Sequence, residues 1–80
     1  MLMCSPIIYI DSDTNKIFES GDEVKIEFWE YAIDKYDGLL LIGTMQYLCE
    51  CHFTLFNDYS HTAYTVNIDD IYKIEKIKKG

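Results

Sequence analysis

Arginine is absent from this 80-residue chain, and seven lysines stand against fourteen carboxylates. Residues 1–72 hold thirteen of those carboxylates against only Lys16, Lys25 and Lys35, a net charge of −10; the basic tail of Lys73, Lys76, Lys78 and Lys79 against Glu75 returns the chain to −7. A phosphate backbone repels such a chain, which argues against direct nucleic-acid binding, and a basic surface attracts it. Long apolar runs are missing as well. The longest purely aliphatic run, residues 39–42, is four residues, against the roughly 20 that a membrane-spanning helix needs.

Other absences narrow the chemistry. No glycine-rich loop opens a helix to cradle phosphate, since Gly38 and Gly43 bracket a strand-like stretch. Asp11 and Asp13 lack the twelve-residue calcium loop with its glycine and terminal glutamate, and read as turn residues. Cys4, Cys49 and Cys51 are an odd number, and the first six residues have neither the basic nor the apolar region of a signal peptide. The expectation is a cytoplasmic protein with reduced thiols. Repeats, linkers and low-complexity tracts are also absent, so residues 1–80 read as one domain.

What is present is alternation. Hydrophobic residues make up 49% of the chain and aromatic residues 15%, enough for a dense core despite the small size. Residues 6–10 form a short apolar run closed by the turn cluster Asp11-Ser12-Asp13-Thr14-Asn15; Lys16-Ile17-Phe18 continues extended, and Ser20-Gly21-Asp22 turns the chain again. Over residues 23–31, Val24, Ile26 and Phe28 share one face and Lys25, Glu27 and Trp29 the other, the pattern of a half-buried antiparallel strand. Trp29 is thereby set on a polar face.

Residues 32–38 read as a loop, and residues 39–48 as a long strand bent at Gly43. Strands over 51–56 and 62–68 follow, then one helical turn at 69–71 and a last strand over 72–77. A C-terminal helix over 69–79 is the alternative, because Ile71, Ile74 and Lys78 also fit a three-to-four spacing. The expected class is mainly β, a small five- to six-stranded antiparallel barrel or strongly bent sheet with at most one short helical turn. Its expected core is Val24, Ile26, Phe28, Leu39, Leu41, Phe53, Leu55, Val66, Ile68, Ile71 and Ile74.

The stretch Asp37-Gly38-Leu39-Leu40-Leu41-Ile42-Gly43-Thr44-Met45 resembles the turn glycine, strand and bend glycine of the Sm-like and SH3-like small barrels, over about residues 18–77. The resemblance implies their architecture. It does not carry their ligand, because Cys49 and Phe53 fall where the Sm family has its base-holding aspartate and asparagine, and no arginine contacts RNA.

Among reactive side chains, Cys49-Glu50-Cys51-His52 has metal-ligand residue types, and Cys4 or His61 could complete a zinc set. The spacing opposes it, because on a strand Cys49 and Cys51 share a face that His52 does not. Two small buried thiols explain the pair without metal. A cysteine–histidine catalytic pair would need an orienting third group and a cleft, so no enzyme activity and no cofactor are expected.

The carboxylates read either as a solubilising surface or as a site. In the second reading Asp22, Glu23, Glu27, Glu30, Asp34 and Asp37 form an acidic face around the anchors Trp29, Tyr31 and Tyr36, since interfaces use aromatic anchors within a charged rim. Three functions follow. The first is a non-enzymatic acidic protein that binds a basic protein surface, such as an inhibitor of a nucleic-acid-handling complex; in size and charge the chain is similar to phage-encoded inhibitors such as anti-CRISPR proteins, which implies nucleic-acid mimicry. The second is an Sm-like or SH3-like nucleic-acid-binding barrel using the C-terminal lysines. The third is a homo-oligomeric structural or ligand-sequestering module paired through an edge strand.

Overall fold

The computed structural model describes residues 2–4, 8–57 and 59–77. Eight strands form two antiparallel sheets. The smaller sheet is β1 (Leu2–Cys4), β2 (Ile8–Asp11) and β3 (Lys16–Glu19), in that order. The turn between β2 and β3 follows from its residues: the Asp13 N–H donates to Asp11 Oδ1, the Asn15 N–H donates to the Asp11 carbonyl, and Asn15 takes the left-handed φ of 58° that asparagine tolerates.

The larger sheet contains β4 (Glu23–Phe28), β5 (Leu40–Gln46), β6 (His52–Asn57), β7 (Thr62–Asn67) and β8 (Ile71–Lys76), in the spatial order β7-β6-β5-β4-β8. Strand β5 changes partner along its length. Leu40 to Thr44 pair with β4, whereas Thr44 to Gln46 pair with β6. Gly43 sits at this handover because a Cβ there would collide with the backbone carbonyl of Phe56. Strands β7 and β8 form the two edges, and among the described residues they do not pair to close a barrel.

The two sheets share one core. Tyr9 and Phe18 of the smaller sheet are fully buried with Val24, Ile26, Met45, Phe53, Leu55 and Val66 of the larger one. Tyr9 packs edge-on against Phe53 at 5.6 Å, and its hydroxyl lies 2.6 Å from the carbonyls of both Cys49 and His52. That contact satisfies a phenol which would be costly to bury unpaired. The Gly21 N–H donates to the Met45 carbonyl and the Met45 N–H to the Asp22 carbonyl, joining the turn after β3 to β5.

Several expectations need correction. Eight strands are formed by the described residues, because β1 and the β2–β3 hairpin add a sheet to the expected five or six strands. The expected strand over 23–31 stops at Phe28, and the expected loop over 32–38 begins as a 3-10 segment over Glu30–Lys35 that buries Ala32. A second 3-10 segment, Ile68–Asp70, precedes β8, so the C-terminal alternative is resolved as turn and strand through Lys76. Of the expected core, Leu39 is 48% exposed, while Ile68 and Ile71 are half-buried against the core rather than inside it. Cys49 and Cys51 precede β6 and are exposed, not buried. The expected strand over 6–10 is seen from Ile8 onward; Pro6 and Ile7 lie outside the described residues. Among the described residues no helix is long and apolar enough to cross a membrane.

Candidate functional site

Strand β4 ends at Phe28 with its N–H donated to the Leu39 carbonyl, and the next residue leaves the sheet. Trp29 is extended, caps the first 3-10 segment, and is fixed by two backbone bonds: its N–H donates to the Asp70 carbonyl, and its carbonyl accepts from the Ala32 N–H. Its indole projects outward at 45% exposure.

Tyr72 meets it there through a fault in the register of β8. Glu27 pairs with Lys73 and Phe28 with Ile71, so two residue steps on β8 match one on β4 and Tyr72 is the extra residue of a bulge. Regular alternation would place Tyr72 on the same face as buried Ile74. The bulge instead turns it out, 58% exposed, to meet Trp29 edge-on with ring centroids 4.6 Å apart. Tyr31, 66% exposed, stands beside them with its hydroxyl donated to the Asp69 carbonyl at 2.6 Å. Partial desolvation, then the nearby Asp70 and Asp69 carboxylates, hold that phenol above its ordinary pKa.

The Trp29–Tyr72 pair is a ridge between two depressions. One, about 580 Å³, is lined by these three residues with Phe28, Leu39, Glu27 and Glu30. The other, about 470 Å³, contains Asp11, Asp13, Asp69 and Lys73 among its walls. Lys73 is engaged by Glu75 at 2.9 Å. Glu27 and Glu30 have no ion pair among the described residues.

The structure thus brings Glu27, Trp29, Glu30 and Tyr31 together. Asp22 is elsewhere, 3.5 Å from Lys76 at the opposite end of β4, where its carboxylate also accepts the Glu19 N–H. Glu23 is beside it in sequence at the start of β4, Asp34 is exposed on the first 3-10 segment, and Asp37 follows that segment with φ 57°.

Tyr36 is a correction. It was expected as an exposed anchor, and it is 2% exposed, stacked on Phe28 with centroids 4.0 Å apart. The reason is the 3-10 winding of Glu30–Lys35, which turns Ala32 and Tyr36 toward the core. The Tyr36 hydroxyl donates to Asp70 Oδ2 at 2.7 Å and accepts the Asn67 N–H at 3.0 Å. Asp70 is itself buried and lies 3.3 Å from Lys35 Nζ. Burial opposes its ionisation, yet the Tyr36 and Lys35 hydrogen bonds outweigh burial and hold its carboxyl below the ordinary range. Burial pushes the Tyr36 phenol up to about 12.

Three contributors to this face were absent from the expected set: Tyr72, Leu39 and Asp69. Leu39 read as core because it opens an aliphatic run, two residues before Leu41. Tyr72 read as an ordinary strand residue, and its only sequence signal is that Tyr72, Ile74 and the neighbouring Ile71 cannot all satisfy one period-two face. Among the described residues no three of histidine, cysteine, aspartate and glutamate are grouped to hold a metal. Cys49 Sγ contacts the Tyr47 carbonyl at 3.7 Å, and the side chain of Cys4 lies outside the described residues. No family model, curated protein or solved structure matches the chain.

Proposed function

We propose that this chain is a non-enzymatic acidic interaction protein that docks on a basic protein surface, with Trp29, Tyr72 and Tyr31 as anchors and Glu27 and Glu30 as the steering rim. The observation that carries the reading is the Trp29–Tyr72 ridge, two large rings held outside the core by a strand end and a bulge, in a face whose carboxylates Glu27 and Glu30 have no ion pair among the described residues. A net charge of −7 favours a basic partner, and a nucleic-acid-handling complex that the chain inhibits is the form of this reading the charge suggests. The order β8-β4-β5-β6-β7, with a 3-10 turn between the two edge strands, supports an SH3-like or Sm-like scaffold beneath the site.

The test is capture from cytosol on the immobilised chain at low salt. A protein retained by the parent, released at high salt and not retained by Trp29→Ala is the expected result, with an anchor loss of ~2 kcal/mol or more. Equal retention by both chains, or no retained protein, overturns the reading.

One observation favours a homo-oligomer as the second reading. Edge strand β7, Thr62-Ala63-Tyr64-Thr65-Val66-Asn67, contains no charged residue and no proline to block pairing with another strand. Solution mass that rises with concentration, and falls when Thr65→Lys is introduced, supports it; a monomer at all concentrations overturns it.

A further inference from the structure

The larger depression has a composition that specifies more than general acidity. Besides buried Phe28 at the end of β4, three exposed aromatic residues line it: Trp29 just after β4, Tyr31 from the first 3-10 segment and Tyr72 from the bulge of β8. The ionisable side chains lining it, apart from the Tyr31 and Tyr72 phenols, are Glu27 and Glu30, and no lysine takes part. Ring faces attract cations through their quadrupoles, and Glu27 and Glu30 supply matching charge, although Lys73, opposite Glu27 across the strand pair, offsets part of Glu27's. No cationic side chain lines it to attract an anion.

We propose that this depression is a receptor for one arginine side chain of the basic partner, its guanidinium stacked among the rings and hydrogen-bonded to Glu27 or Glu30; this rests on the function proposed above. Arginine fits better than lysine on two grounds. Its planar group can stack on indole or phenol while its edge donates to a carboxylate, and it sheds water more readily than an ammonium. The rings are also set in advance: the Trp29–Tyr72 contact and the Tyr31 hydroxyl bond to the Asp69 carbonyl hold them without a ligand, on a backbone fixed by the main-chain bond from Trp29 N–H to the Asp70 carbonyl, which lowers the ordering cost of binding.

The composition bears on the source of that group. These 80 residues contain no arginine, so no segment among them, in this copy or a second one, supplies a guanidinium. The depression across the ridge is a poorer receptor, because Lys73 lies in its wall.

Trp29 is the only tryptophan, so its fluorescence reports the site directly. The probes are two twelve-residue glycine–serine peptides of equal charge, one with four arginines and one with four lysines. The arginine peptide is expected to change Trp29 emission saturably and to bind about tenfold more tightly than the lysine peptide. Tyr72→Ala and the double variant Glu27→Gln, Glu30→Gln should each remove most of that preference, with circular dichroism confirming an unchanged fold. Equal binding of the two peptides overturns the arginine receptor and leaves the broader acidic-docking reading standing. Binding of the arginine peptide by calorimetry without any change in Trp29 emission also overturns it, as does an emission change on dilution of the protein alone, which would identify a second copy as the occupant. Loss of cytosolic capture, by contrast, strikes the function proposed above.

Discussion

The Tyr36 hydroxyl donates a 2.7 Å hydrogen bond to the buried carboxylate of Asp70, and through it the first 3-10 segment is tied to the second. The same residue stacks on Phe28 and accepts the Asn67 N–H, so one side chain serves the core, the β7 end and the turn that carries the Trp29 backbone bond.

Tyr36→Phe keeps the ring and removes the hydroxyl. It should leave the Asn67 N–H without this partner and remove the phenol bond from buried Asp70, destabilising the fold by about 1–3 kcal/mol. Urea unfolding checks this, and a midpoint equal to the parent's would show that the network contributes nothing.

The pH dependence has a sign at each end. Asp70 has its folded pKa below the ordinary 3.8, with burial opposed and outweighed by the Tyr36 and Lys35 bonds, so its contribution is present above pH 3.8 and is lost as pH falls through the lower folded value. Tyr36 has its folded pKa raised from 10.0 to about 12, chiefly by burial, so its contribution is present below pH 10 and is lost as pH rises towards about 12. Stability measured against pH should therefore fall at both limits. In Tyr36→Phe the alkaline fall should shrink.

Gly43→Ala places a methyl group against the Phe56 carbonyl at the point where β5 passes from β4 to β6. Backbone cannot yield as a flexible side chain does, and the expected cost is about 1–3 kcal/mol. Thermal unfolding at parental temperature would contradict it.

Cys49 and Cys51 are exposed, so both should react with a thiol reagent in the folded protein, and Cys49→Ser with Cys51→Ser should remove two equivalents of labelling. Stability should change by no more than about 0.5 kcal/mol for each. Protection of both thiols in the native protein would refute their exposure.

Much of the larger sheet was legible in the sequence because its strands alternate strictly: Val24, Ile26 and Phe28, then Phe53 and Leu55, are buried as the period requires. Gly43 announced its constraint because a glycine has no packing reason to sit inside a strand. Strand β1 was not legible, since three residues carry no period. Tyr36 was misread because its burial depends on the 3-10 winding of Glu30–Lys35, and residues 32–38 carry no alternation to reveal it. Cys49 and Cys51 were misread because both precede the strand, which begins only at His52. Of the site, Trp29 stood out as an aromatic among charges; Tyr72 did not, because a bulge is a relation between two strands and no single segment records it.

That bulge separates the ridge from the architecture beneath it. Removing residue 72 by a one-codon deletion would leave Ile71 opposite Phe28 and Lys73 opposite Glu27, each with its present partner, and would erase the ring that meets Trp29. A lineage carrying this sheet can therefore acquire or discard the ridge in a single mutational step without rebuilding its interior. Close descendants sharing the scaffold would be told apart by whether they keep that one inserted residue.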